Sequence, residues 1–420
     1  MTAQVACIPA IVSQHVAEAA FLRSIRGSLL TGARVKLRDV MQLDERVAAH
    51  LDGVTVATEY GARLATEALS SPGIGEVFVA AIGALNRREP LQIDKLCSLV
   101  EATPGALCGL TSAFGWTEPG VLRGIVSMLL SDPSPFRQRV AISACALHRV
   151  DPGAALAAAI FSGDGPLRSR ALRCAGELGR RDLLQPCVEH LQDSDPACAF
   201  WAAWSAALLG NRGSALASMR ALAVLPGEAQ RRALQLTCMI SSPADAHTLL
   251  KDLVSDAGNR RAVIQGIAAA GDPYFISWLI AQMKNDETAR LAGESFSMIT
   301  GADLTVLDLQ REAPQALVAV PNDDPDNEIV ETDPDEDLPW PDPERVQSWW
   351  STNAARFAAG TRFFVGELPS RAHCVDVLKA GYQRQRALAA LHLCLVEPGT
   401  PLFNTSAPAW RQQRLLAQMS

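Results

Sequence analysis

The sequence predicts an all-α fold, an α-solenoid of stacked helix pairs. Three observations point there: a block that recurs every 31 residues, an Ala- and Leu-rich composition with only 5% aromatics, and Asp-Pro joints between blocks. Arg139, Arg170, Trp201 and Arg232 each open a run of small apolar residues, and eight positions on sit Leu147, Leu178, Leu209 and Ile240. A repeat of this length holds two helices and a turn, and it buries its apolar face only against its neighbours. Small side chains let such helices approach closely. At the joints, Asp132-Pro133, Asp195-Pro196 and Asp272-Pro273 supply a side-chain acceptor followed by a residue with no N–H to satisfy in the first helical turn.

Taken in order, residues 1–73 read as an atypical helical cap, since Val40, Leu43, Val47 and Leu51 keep helical spacing without the repeat. Residues 74–312 read as the solenoid, about seven helix pairs, with two further units opened by Arg261 and Arg290 at 29-residue steps. A continuous right-handed stack is expected, its internal row formed by Leu147, Leu178, Leu209 and Ile240. Acids and arginines recur together at the joints, Asp132 with Arg139, Asp164 with Arg170, Asp256 with Arg261 and Asp286 with Arg290, which predicts a ladder of capping acids paired with arginines.

Residues 313–342 read as an acidic, Pro-rich linker. Eleven of the chain's 45 acids fall within residues 322–344, where there is no Lys or Arg, so the remainder carries 34 acids against 38 basic residues. Like charge and X-Pro steps oppose a packed core, and residues 322–337 are expected to be mobile. Residues 343–420 hold Trp349, Trp350 and Trp410 with Phe357, Phe363, Phe364 and Phe403, and read as a small C-terminal helical bundle with a short extended stretch at 360–366.

No constellation for chemistry emerges. Seven histidines are scattered, and the paired His-Glu clusters with which some helical-repeat hydroxylases hold two irons are missing; Glu189-His190 occurs once, in reversed order. His50 and Asp52 stand beside Gly53 with no nucleophile placed near them by sequence, and His148 reads as a partner of the last carbonyls of its helix. SSPGIG lacks the strand and Lys of a phosphate loop, and the Asp-rich tract lacks the spacing of a calcium loop. No cofactor and no metal are expected. Ten cysteines without a C-x-x-C pair read as buried, reduced thiols, and the lack of a leader or an 18-residue apolar run predicts a cytoplasmic protein without membrane contact.

The strings AAHLDGV (48–54), SFSMITGADL (295–304), LPWPDPERVQSWW (338–350) and QRALAALHLCLVEPGTPLFNTSAPAWRQ (385–412) resemble, over essentially the whole chain, a proteobacterial family of HEAT-like repeat proteins of unassigned function. The resemblance implies an atypical N-terminal cap, a HEAT-like array and a C-terminal block, with some members encoded near type VI secretion effector genes. It supplies no catalytic residue.

Function is therefore expected to be binding. The second helix of each pair exposes polar positions, Gln185, Glu189, Arg220, His247, Lys251 and Gln282, which nominates the concave wall as the reader of a protein client, a secretion effector among the candidates. A repeat enzyme of lyase or hydroxylase type and a nucleic-acid-binding solenoid are the alternatives; the pI of 5.6 disfavours the latter. The oligomeric state is not encoded in these patterns.

Overall fold

The computed structural model describes residues 7–314 and 333–419. Among them every regular element is helical, with two isolated β-bridges, Gln310–Pro341 and Phe364–Glu367. In chain order the helices are α1 (Pro9–Leu29), α2 (Leu37–Val56), α3 (Thr58–Glu67), α4 (Ile74–Asn86), α5 (Pro90–Ala102), α6 (Leu107–Trp116), α7 (Pro119–Leu130), α8 (Pro135–His148), α9 (Ala154–Ile160), α10 (Gly165–Glu177), α11 (Leu184–Glu189) and α12 (Pro196–Leu208). They continue with α13 (Ser214–Ala223), α14 (Gln230–Ile240), α15 (Pro243–Val254), α16 (Arg260–Ala270), α17 (Ile276–Gln282), α18 (Asp286–Thr300), α19 (Pro343–Asn353), α20 (Arg371–Ala380), α21 (Gln383–Val396) and α22 (Ala409–Leu416). The chain divides into two compact units. One comprises the chain through Thr31, Val35–Leu209 and the segment from Pro398 onward; the other comprises Gly32–Arg34 and Gly210–Glu397.

In the first unit the first helices α4, α6, α8, α10 and α12 stack one on the next, α1 packs on α4, and each of the second helices α5, α7, α9 and α11 lies against the first helix that follows it. The small residues read from the sequence make this possible: Val140–Ala146 of α8 and Ala202–Leu208 of α12 are buried on all sides. Hydroxyls substitute for bulk at the closest approach, where Ser205 Oγ donates to Leu172 O of the neighbouring helix at 2.7 Å. The second unit repeats the scheme with α14, α16 and α18, and Ser295 Oγ donates to Ile264 O at 3.1 Å. Among the described residues no helix is long and apolar enough to cross a membrane.

Asp195 caps α12 and Asp272 caps the single 3-10 turn Pro273–Phe275, as their Asp-Pro joints suggest. At the remaining joint α8 begins two residues after the Pro, at Pro135, with Ser134 accepting from Arg137 N. The expected internal row is only partly buried: Leu178 and Leu209 are buried, Leu147 and Ile240 half-buried, because all four sit at the ends of their helices.

Those ends explain what sequence reading placed in a separate C-terminal bundle. A helix leaves its last four carbonyls without partners, and stacking lines up the ends of successive first helices. In each unit one non-helical strap runs across them. In the second unit the Arg362 guanidinium donates to Cys238 O and Ser241 O at the end of α14 (both 2.9 Å) and to Ala270 O of α16 (3.0 Å). Phe363 N donates to Gly271 O at 2.8 Å, and Val365 N and Gly366 N reach Met298 O and Ile299 O of α18 at 2.6 and 3.0 Å. Gly271 adopts φ +71°, and a Cβ there would stand 2.2 Å from Phe363 O, so the strap passes only because the residue is Gly.

In the first unit the chain from Pro398 does the same in the opposite order. Leu402 N donates to Glu177 O of α10 (3.0 Å), Asn404 Nδ2 to Leu147 O of α8 (3.0 Å) and Arg411 Nη1 to Gly115 O of α6 (2.7 Å). The buried Arg26–Asp44 ion pair (2.5 Å) clamps the strap, with Arg26 donating to Ser406 O and Ala407 O and Asp44 accepting from Ala409 N at 2.7 Å. Residues 398–419 thus belong with the first helices of this unit, whereas α19, α20 and α21 belong to the other.

The expected cap-to-arginine ladder is corrected. Arg170 pairs with Glu177, Arg261 with Asp335 and Arg290 with Asp333, while Arg139 lies over the Phe136 ring. Asp132, Asp164 and Asp256 accept backbone N–H groups and Asp286 pairs with Arg311 beside the capping Asn285, while the four arginines take other partners. Two of these are in the acidic tract, and that changes its reading. Residues 322–332 lie outside the described residues, but Asp333 and Asp335 are docked on the helices: Asp335 is buried, accepts from Arg261 at 2.7 Å and approaches Arg384 at 3.6 Å, and Trp340 stacks under Arg290 and Arg311. Opposite charge from the solenoid supplies the affinity that composition alone denies this segment.

Two predictions follow from the straps. Arg362→Ala strips donors from two helix ends and should destabilise the second unit by about 3 kcal/mol, with Arg362→Lys recovering only part because it lacks the fork; chemical denaturation checks it, and an unchanged midpoint would contradict the cap. The second concerns acid. Burial, and Arg411 nearby, lower His148 from 6.5 to about 4 while its Nε2–H donates to Phe114 O at 2.8 Å; burial lowers His392 to about 3. Both are neutral in the folded chain, so stability is full above pH 6.5 and falls as pH drops toward 4, where the unfolded chain binds more protons. Burial works against ionised Glu177, yet Arg170, Arg173 and Arg149 bring it to about 2, so its contribution is lost in a lower window, from about 4.5 down to 2. Urea midpoints against pH should show both stages, and His148→Gln should flatten the first.

Candidate functional site

The sequence-nominated residues fall into two groups. Gln185 and Glu189 are exposed on α11 of the first unit, with Gln185 Nε2 3.4 Å from Glu189 Oε1. Arg220, His247, Lys251 and Gln282 belong to the second unit; Arg220 is exposed on α13, and Gln282 is half-buried at the end of α17, its carbonyl accepting from Thr288 Oγ1. Only His247 and Lys251 converge, and they do so on a residue that sequence reading overlooked, Tyr274.

Helix α15 is started by Ser242, whose Oγ accepts from Asp245 N, and by Pro243. It buries Ala246, Leu249, Leu250 and Leu253, and this stripe leaves His247 and Lys251, one turn apart, at its edge. The next joint brings Asp272. Its carboxylate is 1% exposed and accepts from Tyr274 N at 2.9 Å, from Gly360 N at 2.9 and 3.1 Å, and from His247 Nε2 at 2.9 Å. One buried carboxylate thereby ties a second helix, a repeat joint and the strap. On this base the His247 ring stacks on Tyr274 with centroids 4.4 Å apart and planes at 27°. Phe275 meets both rings edge-on, and Lys251 Nζ stands 5.5 Å from the Tyr274 centroid. Tyr274 itself is 50% exposed.

A related arrangement occurs in the first unit. His190 Nδ1 lies 2.9 Å from Asp193 Oδ2, Arg168 holds the same carboxylate with two bonds of 2.8 and 3.0 Å, and Phe161, 57% exposed, leans on the His190 ring at 5.5 Å. Burial works against ionised Asp193, but the hydrogen bonds from Arg168, Asp195 N and His190 hold its carboxyl down at about 2. Each unit thus presents a half-exposed aromatic ring on a histidine fixed by an aspartate. Tyr274 carried one legible signal: it is one of three tyrosines in the chain and directly follows an Asp-Pro cap, where the first turn of a helix is open to solvent. Phe161 stands just before the Ser162-Gly163-Asp164 turn, in the same kind of place.

The Nε2–H of His247 is committed to Asp272 and its face to Tyr274. Among the described residues no three His, Cys, Asp or Glu side chains approach closely enough to hold a metal ion. In comparisons with known proteins, no family model matches the chain and no curated protein matches it.

If Asp272 is the base of the site, Asp272→Ala should cost about 2–4 kcal/mol by leaving buried donors without an acceptor, whereas Tyr274→Ala should cost under about 1 kcal/mol. Denaturant unfolding of the two variants checks the contrast.

Proposed function

We propose that this protein is a non-enzymatic binding scaffold, an adaptor or chaperone-like factor that holds a protein client on its second-helix side. One observation carries the reading: a half-exposed aromatic ring, immobilised from beneath, recurs in both units at Tyr274 and Phe161. Large rings already held in one orientation lose little freedom on binding, and such anchors dominate protein interfaces. Lys251 beside Tyr274 adds a charge that selects an acidic or polar rim on the client. The resemblance to repeat proteins encoded near type VI effector genes makes a secretion effector the first client to try.

Affinity purification from the native host with mass spectrometry tests this, comparing the unaltered protein with Tyr274→Ala and Phe161→Ala and with charge reversals at Arg220 and Lys251. A reproducible client should be recovered and should be depleted about tenfold or more by at least one aromatic variant, as truncation of a hot-spot ring demands. Recovery of no reproducible protein, or full recovery from every variant, would remove the scaffold reading.

A further inference from the structure

The first unit contains a cavity of about 180 Å³ between α1, α6 and the strap. Two arginines reach it, and they are not equivalent. Arg26 is spent: its guanidinium pairs with Asp44 and donates to Ser406 O and Ala407 O. Arg23 is not. Its Nη2 donates to Ser112 Oγ, whose own O–H donates to Cys108 O at 2.5 Å, and no carboxylate pairs with Arg23 among the described residues. The carboxylate whose field reaches it, Asp44, already accepts from Arg26 and Ala409 N. Burial, reinforced by the like charge of Arg26, lowers the Arg23 pKa, which identifies a partly dehydrated cation short of a counter-charge.

The rest of the wall mixes polar Thr111, Asn404 and Ser406 with an apolar part. In that part Phe78 and Trp116 meet edge to face at 5.7 Å, Arg23 lies over the Phe78 ring at 5.8 Å, and Leu30, Leu147 and Pro408 add aliphatic surface. A cavity of about 150 Å³ is known to hold benzene, so this volume takes one ring with a small substituent. A guanidinium with no carboxylate partner, lying against an aromatic wall, defines the complement. We propose that this cavity binds a small aromatic carboxylate, its carboxylate on Arg23 and its ring against Trp116 and Leu147. The site lies wholly in the first unit and does not depend on the client reading above.

Benzoate is the probe, used with the full chain. Calorimetry should detect binding at millimolar or lower concentration. Cys108, exposed at the cavity wall, should be protected from iodoacetamide by benzoate, located by mass spectrometry. Arg23→Gln should weaken binding about tenfold or more, since it removes a charge-assisted fork, and Thr111→Phe, which fills the cavity from α6 without touching the charge, should abolish it. Benzamide, neutral and of the same shape, should bind at least several-fold more weakly. The proposal is overturned if benzoate neither binds nor protects Cys108 in the unaltered protein, if Arg23→Gln binds it equally, if benzamide matches it, or if inorganic phosphate protects Cys108 as well as benzoate does. Protection in the unaltered protein keeps the test decisive even if a variant unfolds.

Discussion

Carbonyl groups at the C-terminal ends of the first helices are the constraint around which this protein is built. Stacking buries apolar faces, but it also aligns helix ends, and each end presents acceptors that helical geometry cannot satisfy. A single helix solves this locally with a glycine turn. A stack turns it into a row, and a row is best met by a chain segment running along it. The two straps are that answer, with Gly271 in the left-handed region where the second passes closest. The same reasoning explains why residues 398–408, with Pro398, Pro401 and Pro408, are non-helical yet well packed: their polar groups are spent on the ends of other helices.

Arginine is the second organiser. Arg362 serves carbonyls from two helices, Arg26 one carboxylate and two carbonyls, and Arg149 both its own helix end and Leu402 O of the strap. A guanidinium offers a fixed fork of donors, which suits a place where several acceptors of one edge lie together. Much of the chain's positive charge is therefore structural. On the scaffold reading proposed above, a surface whose cations are largely engaged would rely on shape and on fixed rings, which favours Tyr274 and Phe161 over the isolated polar positions of the second helices.

The stacked all-helical fold was legible because it acts through local patterns: runs of small residues, and Asp195 or Asp272 before Pro, are local statements that need no knowledge of distant chain. What could not be read involves long separations. Arg261 and Asp335 are 74 residues apart and Arg149 and Leu402 are 253 apart, and nothing in either neighbourhood names its partner. The acidic tract shows the cost of judging a segment by its own composition, since the charges that hold its described end are supplied from elsewhere. Of the candidate site, the helix carrying His247 and Lys251 was visible by periodicity, whereas Tyr274 was hidden because its exposure depends on how one joint meets the preceding pair.

The clamp of Arg26 and Asp44 on residues 406–409 has a consequence for biogenesis. Its partners are separated by up to 381 residues, so during synthesis the earliest helices leave the ribosome long before their closing segment exists. Until then the carbonyls of Gly115, Leu147 and Glu177 lack the donors that the strap brings, and Arg26 and Asp44 lack their partners in residues 406–409. Contacts of such separation form slowly. The nascent first unit therefore passes through a long open interval that ends only when translation delivers its strap, and a ribosome stalled a few dozen codons early would release helices already stacked but still unfastened along one edge.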